Sequence, residues 1–151
     1  MRPNLHAARL RDVPRLTTIL RKFTRTTPWL PQTRSLPTDL TLMTRITRAG
    51  WVKIIRDPTG TAGFIARDGH RIHALYVDPR RNRTGVGRAL LRDAQHSTPY
   101  LELWVAEANT PARAFYAAHG FTEVERGCGA GNDEKLAEIR MIWPNPQGAA
   151  P

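Results

Sequence analysis

The sequence predicts an α/β (α+β) fold, with a mixed, mostly antiparallel central sheet of about seven strands flanked by about four helices. Three observations predict it. Val13, Leu16, Leu20 and Phe23 recur at helical spacing and give one apolar stripe. Three β-rich runs then follow one another between residues 51 and 77, parted only by short turns. After them, helical and β-rich segments alternate almost to the end of the chain, the pattern of a layered α/β domain. A chain of 151 residues suits one domain with one core. Residues 1–143 are expected to form it, with the Pro/Gly/Ala-rich stretch 144–151 fraying as a tail.

The elements follow in order. Leu5 to Leu10 reads as a short first strand. Asp12 reads as the N-cap of the first helix, with Pro14 in its first turn. Thr26 to Pro37 holds three prolines and reads as a loop, and a second helix runs from about Thr38 to Arg48. Trp51 to Arg56 is a strand ending at the turn Asp57-Pro58-Thr59-Gly60. Thr61 to Arg67 is the next, closed by Asp68-Gly69, and His70 to Val77 completes an antiparallel meander. Gly85 to about His96 reads as a helix and Tyr100 to Val105 as a strand. Thr110-Pro111 caps and opens another helix that ends near Gly120. Phe121 to Arg126 and Ile139 to Trp143 close the sheet.

Composition narrows the function. Hydrophobic residues make up 40%, ordinary for a globular chain. No apolar run is long enough to cross a bilayer, so no membrane partner is expected, and the first ten residues lack the apolar core of a secretory signal. Cys128 stands alone and cannot form an internal disulfide, which makes a reducing cytoplasm the expected compartment. The net charge of +10 comes mostly from arginine. Such a surface could attract nucleic acid or an acidic ligand. The arginines are spread along the chain with no basic arm, which favours simple solubilisation over a nucleic-acid partner.

The informative stretch is Leu75-Tyr76-Val77-Asp78-Pro79, then Arg80 to Thr84, then Gly85-Val86-Gly87-Arg88. A strand ends at a proline, a basic loop follows, and a helix opens on Gly-x-Gly. The first-turn N–H groups of a helix converge on one spot and the helix dipole adds positive potential there. Glycines let a phosphate approach the backbone, and Arg83 and Arg88 add charge. A diphosphate is the natural guest. Gly-x-Gly by itself also suits a plain tight turn. The third glycine of a dinucleotide fingerprint would fall at Leu90, and the Walker lysine is absent.

A second segment, Asn109-Thr110-Pro111-Ala112-Arg113-Ala114-Phe115-Tyr116 followed by Gly120-Phe121, lies downstream of the strand Leu101 to Val105. Together the two segments resemble the cofactor-binding core of the GNAT acetyltransferases. There, a strand ending in a V-D-P-like step leads to a [QR]-x-x-G-x-[GA] loop, and N-x-x-A-x-x-F-Y-x-x-x-G-F comes later. The resemblance covers nearly the whole chain and implies the GNAT fold, acetyl-CoA as cosubstrate, no metal, and transfer of acetyl to an amine as monomer or homodimer. It implies that backbone groups of Leu75, Tyr76 and Val77 pair with the pantetheine arm like an added strand. Asn82, Arg83, Thr84, Gly85, Val86, Gly87 and Arg88 would hold the diphosphate. Asn109 would contact pantetheine, or would simply cap its helix. Tyr116 would protonate the departing thiolate, or would be a core aromatic beside Phe115.

Two positions depart from the pattern. Asn82 stands where the family has Gln or Arg, which alters side-chain contacts but not the backbone donors. Trp104 stands where the acetyltransferases of ribosomal-protein N-termini place a catalytic Glu, and Glu102 lies two residues earlier on the same strand face. The resemblance implies direct attack by an amine, which must first lose a proton, since a free alkylammonium has a pKa near ~10. Glu102 is the first candidate base, with Glu107, His73 and Glu134 as others. Trp29, in the proline-rich loop, and Asp133 and Glu134, in the Gly-rich turn, are the candidate acceptor-binding residues. Three functions remain: an acetyltransferase of small amines or peptides, one of protein N-termini or lysines, and a non-catalytic module binding acyl-CoA.

Overall fold

The computed structural model describes residues 5–30, 34–81, 84–128 and 136–144. Its strands are β1 (Leu5–Ala7), β2 (Val52–Asp57), β3 (Gly60–Asp68), β4 (Arg71–Val77), β5 (Leu101–Ala106), β6 (Thr122–Gly127) and β7 (Glu138–Trp143). The helices are α1 (Val13–Thr26), α2 (Leu36–Arg48), α3 (Val86–Ser97) and α4 (Thr110–Ala118). All seven strands join one sheet in the order β1-β2-β3-β4-β5-β7-β6. Every neighbouring pair is antiparallel except β4 and β5, whose parallel pairing requires the crossover through α3.

Helices cover the sheet on both faces. On one, Val13, Leu16, Ile19 and Leu20 of α1 and Met43 and Ile46 of α2 pack on Val52, Ile54, Phe64 and Ala66. On the other, Leu90, Leu91 and Ala94 of α3, with Tyr116 and Phe121, pack on Ile65, Ile72, Leu101, Leu103, Val105, Ile139 and Met141. The alternation of β5 shows the division: Leu101, Leu103 and Val105 are buried, while Glu102, Trp104 and Ala106 face the other way.

Three boundaries differ from the sequence reading. The first strand stops at Ala7, because Leu10–Asp12 closes into a 3-10 turn. Asp12 is therefore no side-chain cap of α1: its carboxylate accepts from the Arg9 N–H at 2.8 Å and from Arg56 at 2.6 Å. The second helix begins at Leu36, two residues before Thr38, since Ser35 Oγ accepts the Thr38 N–H at 3.3 Å and Pro37 sits in the first turn. The cap of α4 is Asn109 and not Thr110: Asn109 Oδ1 accepts the Ala112 N–H at 3.3 Å. The tail beyond residue 144 lies outside the described residues.

The feature that positions the site is a bulge in β4. Ala66 pairs with Ala74, but the next residue, Arg67, pairs with Ile72, so His73 is an extra residue in β4. The bulge moves Ile72 and Ala74 to opposite faces of the sheet, one in each core. Parallel pairing with β5 covers only Arg71↔Glu102 and Ile72↔Leu103. Beyond that point the two strands part.

Candidate functional site

Where β4 and β5 part, a cleft of about 250 Å3 opens. Leu75 and Tyr76 of β4 form one side, and Trp104, Val105 and Ala106 of β5 the other. Asn109, Ala112 and Tyr116 of α4 reach it, as do Phe23 of α1 and Trp29 of the following loop. Freed from the ladder, the β4 edge can offer backbone groups to an extended ligand.

The start of α3 lies at the end of β4. Gly85 is its N-cap with φ +87°, a left-handed backbone that glycine adopts without strain, and it brings no side chain to the first-turn N–H groups. Those groups, from Val86 to Arg88, are the anion donors that the motif implies. Gly63 fixes the helix against the sheet. A Cβ there would stand 2.9 Å from the Tyr76 carbonyl oxygen and 2.9 Å from Val86 Cγ1. Thr84 and Arg88 are exposed beside this helix start. Asn82 and Arg83 lie outside the described residues.

A buried carboxylate holds the approach to this loop. Asp78 is fully buried and its N–H donates to the Ala62 carbonyl at 2.8 Å. Arg81 donates to it at 3.0 Å and also to both oxygens of Asp57, at 2.7 and 2.8 Å. Arg15 of α1 bonds the same carboxylate, and Lys22 stands 3.8 Å away. Burial pushes the Asp78 carboxyl upward, but the Arg80 N–H and the cations Lys22, Arg15 and Arg80 outweigh it and leave the carboxyl below its ordinary value. Much of the positive charge of the chain is matched in this way. Arg21 and Arg34 pair with Asp39, Arg113 with Glu123, and Arg126 with Glu107.

Tyr116 is buried against Phe115 and Phe121, with ring centroids 5.3 and 5.4 Å away. Burial pushes its hydroxyl well above the ordinary phenol range, and the nearby Tyr76 adds to this. The group therefore keeps its proton at neutral pH, the state a proton donor needs. Asn109 both caps α4 and lines the cleft.

Glu102 lies elsewhere. It is not among the residues lining the cleft: Arg140 donates to its Oε2 at 2.7 and 3.1 Å, and Tyr100 OH at 3.4 Å. The Arg140 hydrogen bonds and charge hold its carboxyl below the ordinary range, against a smaller opposing effect of burial. A carboxylate so engaged is a poor proton acceptor. Glu107 is likewise tied to Arg126, at 2.7 Å. Asp133 and Glu134 lie outside the described residues. Trp29 does line the cleft, edge-on to Phe23 with centroids 6.5 Å apart. Phe23 in turn stands 5.0 Å from Tyr76, so the three rings make one aromatic wall.

The structure adds residues that the sequence reading did not assign to the site. Trp104, Arg34 and Glu138 line the cleft. Trp104 had signalled itself only as a departure from the family pattern. Arg34 and Glu138 gave no signal, because their placement depends on the Asp39 pair and on the β5–β7 register. Among the described residues no cluster of His, Cys, Asp and Glu could hold a metal ion, and no helix is long and apolar enough to cross a membrane.

Comparison with known proteins agrees with this geometry. The family model described as "Acetyltransferase (GNAT) domain" matches residues 48–123. The peptidyl-lysine N-acetyltransferase YiaC of Escherichia coli is 36% identical over 83 residues, covering 54% of this chain and 56% of that protein. The peptidyl-lysine N-acetyltransferase YjaB of Salmonella typhimurium is 35% identical over 94 residues, covering 62% and 64%. The chain thus spans between half and two thirds of the length of these relatives. Among solved structures, apo YjaB of Escherichia coli superposes with a TM-score of 0.79 at 21% identity, over 95% of this chain and 98% of that one. The acetyltransferase yncA of Salmonella typhimurium, solved with acetyl-CoA, superposes with a TM-score of 0.71 at 18% identity, over 100% and 98%.

Proposed function

Because this chain belongs to the GNAT acetyltransferase domain family, we propose that it moves the acetyl group of acetyl-CoA to a primary amine of a small molecule or peptide, by direct attack in a ternary complex. The observation that carries this reading is the cleft between β4 and β5, with the N-terminus of α3 at the end of β4 and Tyr116 among the lining residues.

The chain's own residues divide the work. The first-turn N–H groups of α3, with Thr84 and Arg88 beside them and with Asn82 and Arg83 of the same motif, hold the diphosphate. Leu75, Tyr76 and Val77 offer the β4 edge to the pantetheine arm, and Asn109 faces it from α4. A backbone N–H near Val77 stabilises charge developing on the thioester oxygen. Tyr116 gives its proton to the leaving thiolate. The aromatic wall of Phe23, Trp29 and Tyr76 borders the space left for the acceptor, and Asp133 and Glu134 are kept as candidate acceptor-binding residues on their sequence alone. No metal takes part.

The names of YiaC and YjaB favour a lysine side chain of a protein as one form of the acceptor. A nucleic-acid partner is disfavoured, because the arginines are spread along the chain and form no basic arm. The lone exposed thiol of Cys128 suits the cytoplasm. A thiol-release assay with acetyl-CoA and a panel of amines, lysine peptides and free peptide N-termini tests the proposal. Acceptor-dependent thiol release is expected. Coenzyme binding without turnover on any acceptor would leave an acyl-CoA-binding module instead.

A further inference from the structure

We propose that His73 is the group that accepts the proton of the attacking amine, a role that rests on the acetyl-transfer reading and completes it. His73 lines the same cleft as Tyr116 and Asn109. It is the extra residue of the β4 bulge, at the point where β4 leaves β5. Its ring stacks on the indole of Trp51, with centroids 5.0 Å apart and planes 8° from parallel. Trp51 packs against the core under α1 and α2, whereas Tyr116 belongs to the core under α3 and α4. The imidazole and the phenol thus approach the cleft from opposite faces of the sheet. A proton acceptor for the amine and a proton donor for the thiolate can therefore act on one tetrahedral carbon without occupying the same space.

Two of the carboxylates that could compete are engaged. Glu102 is bound to Arg140 and Glu107 to Arg126, and the position equivalent to the family's strand glutamate is Trp104. Partial burial and the neighbouring Arg71 push the His73 imidazole below the ordinary histidine range, against a smaller opposing pull from Asp68. Both effects favour the neutral imidazole, whose ring nitrogen has a lone pair to offer. It is also exposed enough to pass a proton on to solvent. The other charged or titratable groups around the cleft are Arg34 ahead of α2, Tyr76 on β4, Tyr116 on α4 and Glu138 on β7.

The step balances. The amine nitrogen forms a bond to the thioester carbon, and the carbonyl electron pair moves to oxygen. As that bond forms, the nitrogen becomes a strong acid and its proton passes to His73. The oxygen pair returns, the carbon–sulfur bond breaks, and the thiolate takes the Tyr116 proton. His73 releases its proton to water, and water returns one to Tyr116.

The test is the pH profile of kcat/KM for the wild type, His73→Ala, His73→Gln, Trp51→Leu and Glu138→Gln, with coenzyme affinity measured alongside. His73→Ala and His73→Gln should bind acetyl-CoA as the wild type does and lose on the order of 10²-fold in rate at pH 7. They should also lose the acidic limb of the profile, and added imidazole should restore part of the His73→Ala rate. Trp51→Leu, which frees the ring, should lower kcat while keeping the limb. An unchanged profile in folded His73→Ala overturns the proposal, as does loss of the limb in Glu138→Gln alone. Coenzyme binding without turnover in the wild type overturns the acetyl-transfer reading and this role with it. A nuclear magnetic resonance titration gives a check independent of turnover: a His73 ring that is protonated at pH 7 excludes it as the acceptor.

Discussion

At the scale of single residues, the account turns on a phenol and a carboxylate. Tyr116→Phe keeps the ring against Phe115 and Phe121 and removes only the hydroxyl. We expect unchanged coenzyme affinity and a loss of about 10²-fold in kcat and kcat/KM alike, read by steady-state kinetics. Unchanged kcat would remove Tyr116 from the mechanism. Because burial raises this hydroxyl above the ordinary phenol value of 10.0, the donor stays protonated as the pH climbs. The wild-type kcat should therefore show no alkaline loss from Tyr116 below about pH 10. Asp78 carries the structural counterpart. Asp78→Asn leaves Arg15, Lys22 and Arg81 without their shared anion and should cost about 3 kcal/mol at pH 7, measured by urea unfolding. The folded carboxyl lies below its ordinary value of 3.8. Its contribution is complete above that value and disappears as the pH falls through the lower, folded value. The wild type and Asp78→Asn should therefore converge in stability in strong acid. At this scale the sequence was half legible. Tyr116 and Asn109, singled out by their motif, both line the cleft. Glu102 was placed on the correct strand face by alternation, yet its partner Arg140 lies 38 residues away and only the β5–β7 pairing brings the two together.

At the scale of elements, the site is made by two strands that stop pairing and by one helix start held at a fixed height. Gly63 tests the second feature. A methyl group there would meet the Tyr76 carbonyl and Val86 Cγ1, both at 2.9 Å, and a backbone oxygen cannot swing aside. Gly63→Ala should therefore cost about 1–3 kcal/mol and weaken acetyl-CoA binding, because Val86 is the first residue of α3. A calorimetric titration that finds normal affinity would show that the helix start does not carry the diphosphate. Gly87→Ala is the contrast. Its added Cβ meets Val77, Phe115 and Leu75 at 3.5–3.7 Å, ordinary contact, so its stability should stay within about 0.5 kcal/mol of the wild type. Periodicity and turn residues located the helices and strands to within a few positions. The bulge was not legible, because His70 to Val77 reads as an unbroken strand, and an extra residue shows only in the register against β3. The shift of the second helix start came from Ser35, whose capping bond depends on the turn before Leu36.

At the scale of the molecule, one sheet separates two cores, and the cleft lies where the sheet itself opens. Local pattern and chain order anticipated the order of elements, the antiparallel meander and a mixed, mostly antiparallel sheet. The aromatic lining of the cleft was less legible. Phe23, Trp29, Tyr76 and Trp104 come from α1, a loop and two strands, and no local signal links them. The central claim is that this opening, with the start of α3 beside it, holds acetyl-CoA. Thermal unfolding of the intact chain with and without acetyl-CoA tests it most directly. A ligand held only by the folded state at about 100 times its Kd contributes about 2.7 kcal/mol. For a chain of this size that raises the Tm by roughly 5–10 °C, and the rise should grow with ligand concentration. A Tm that does not move at millimolar acetyl-CoA would contradict the claim.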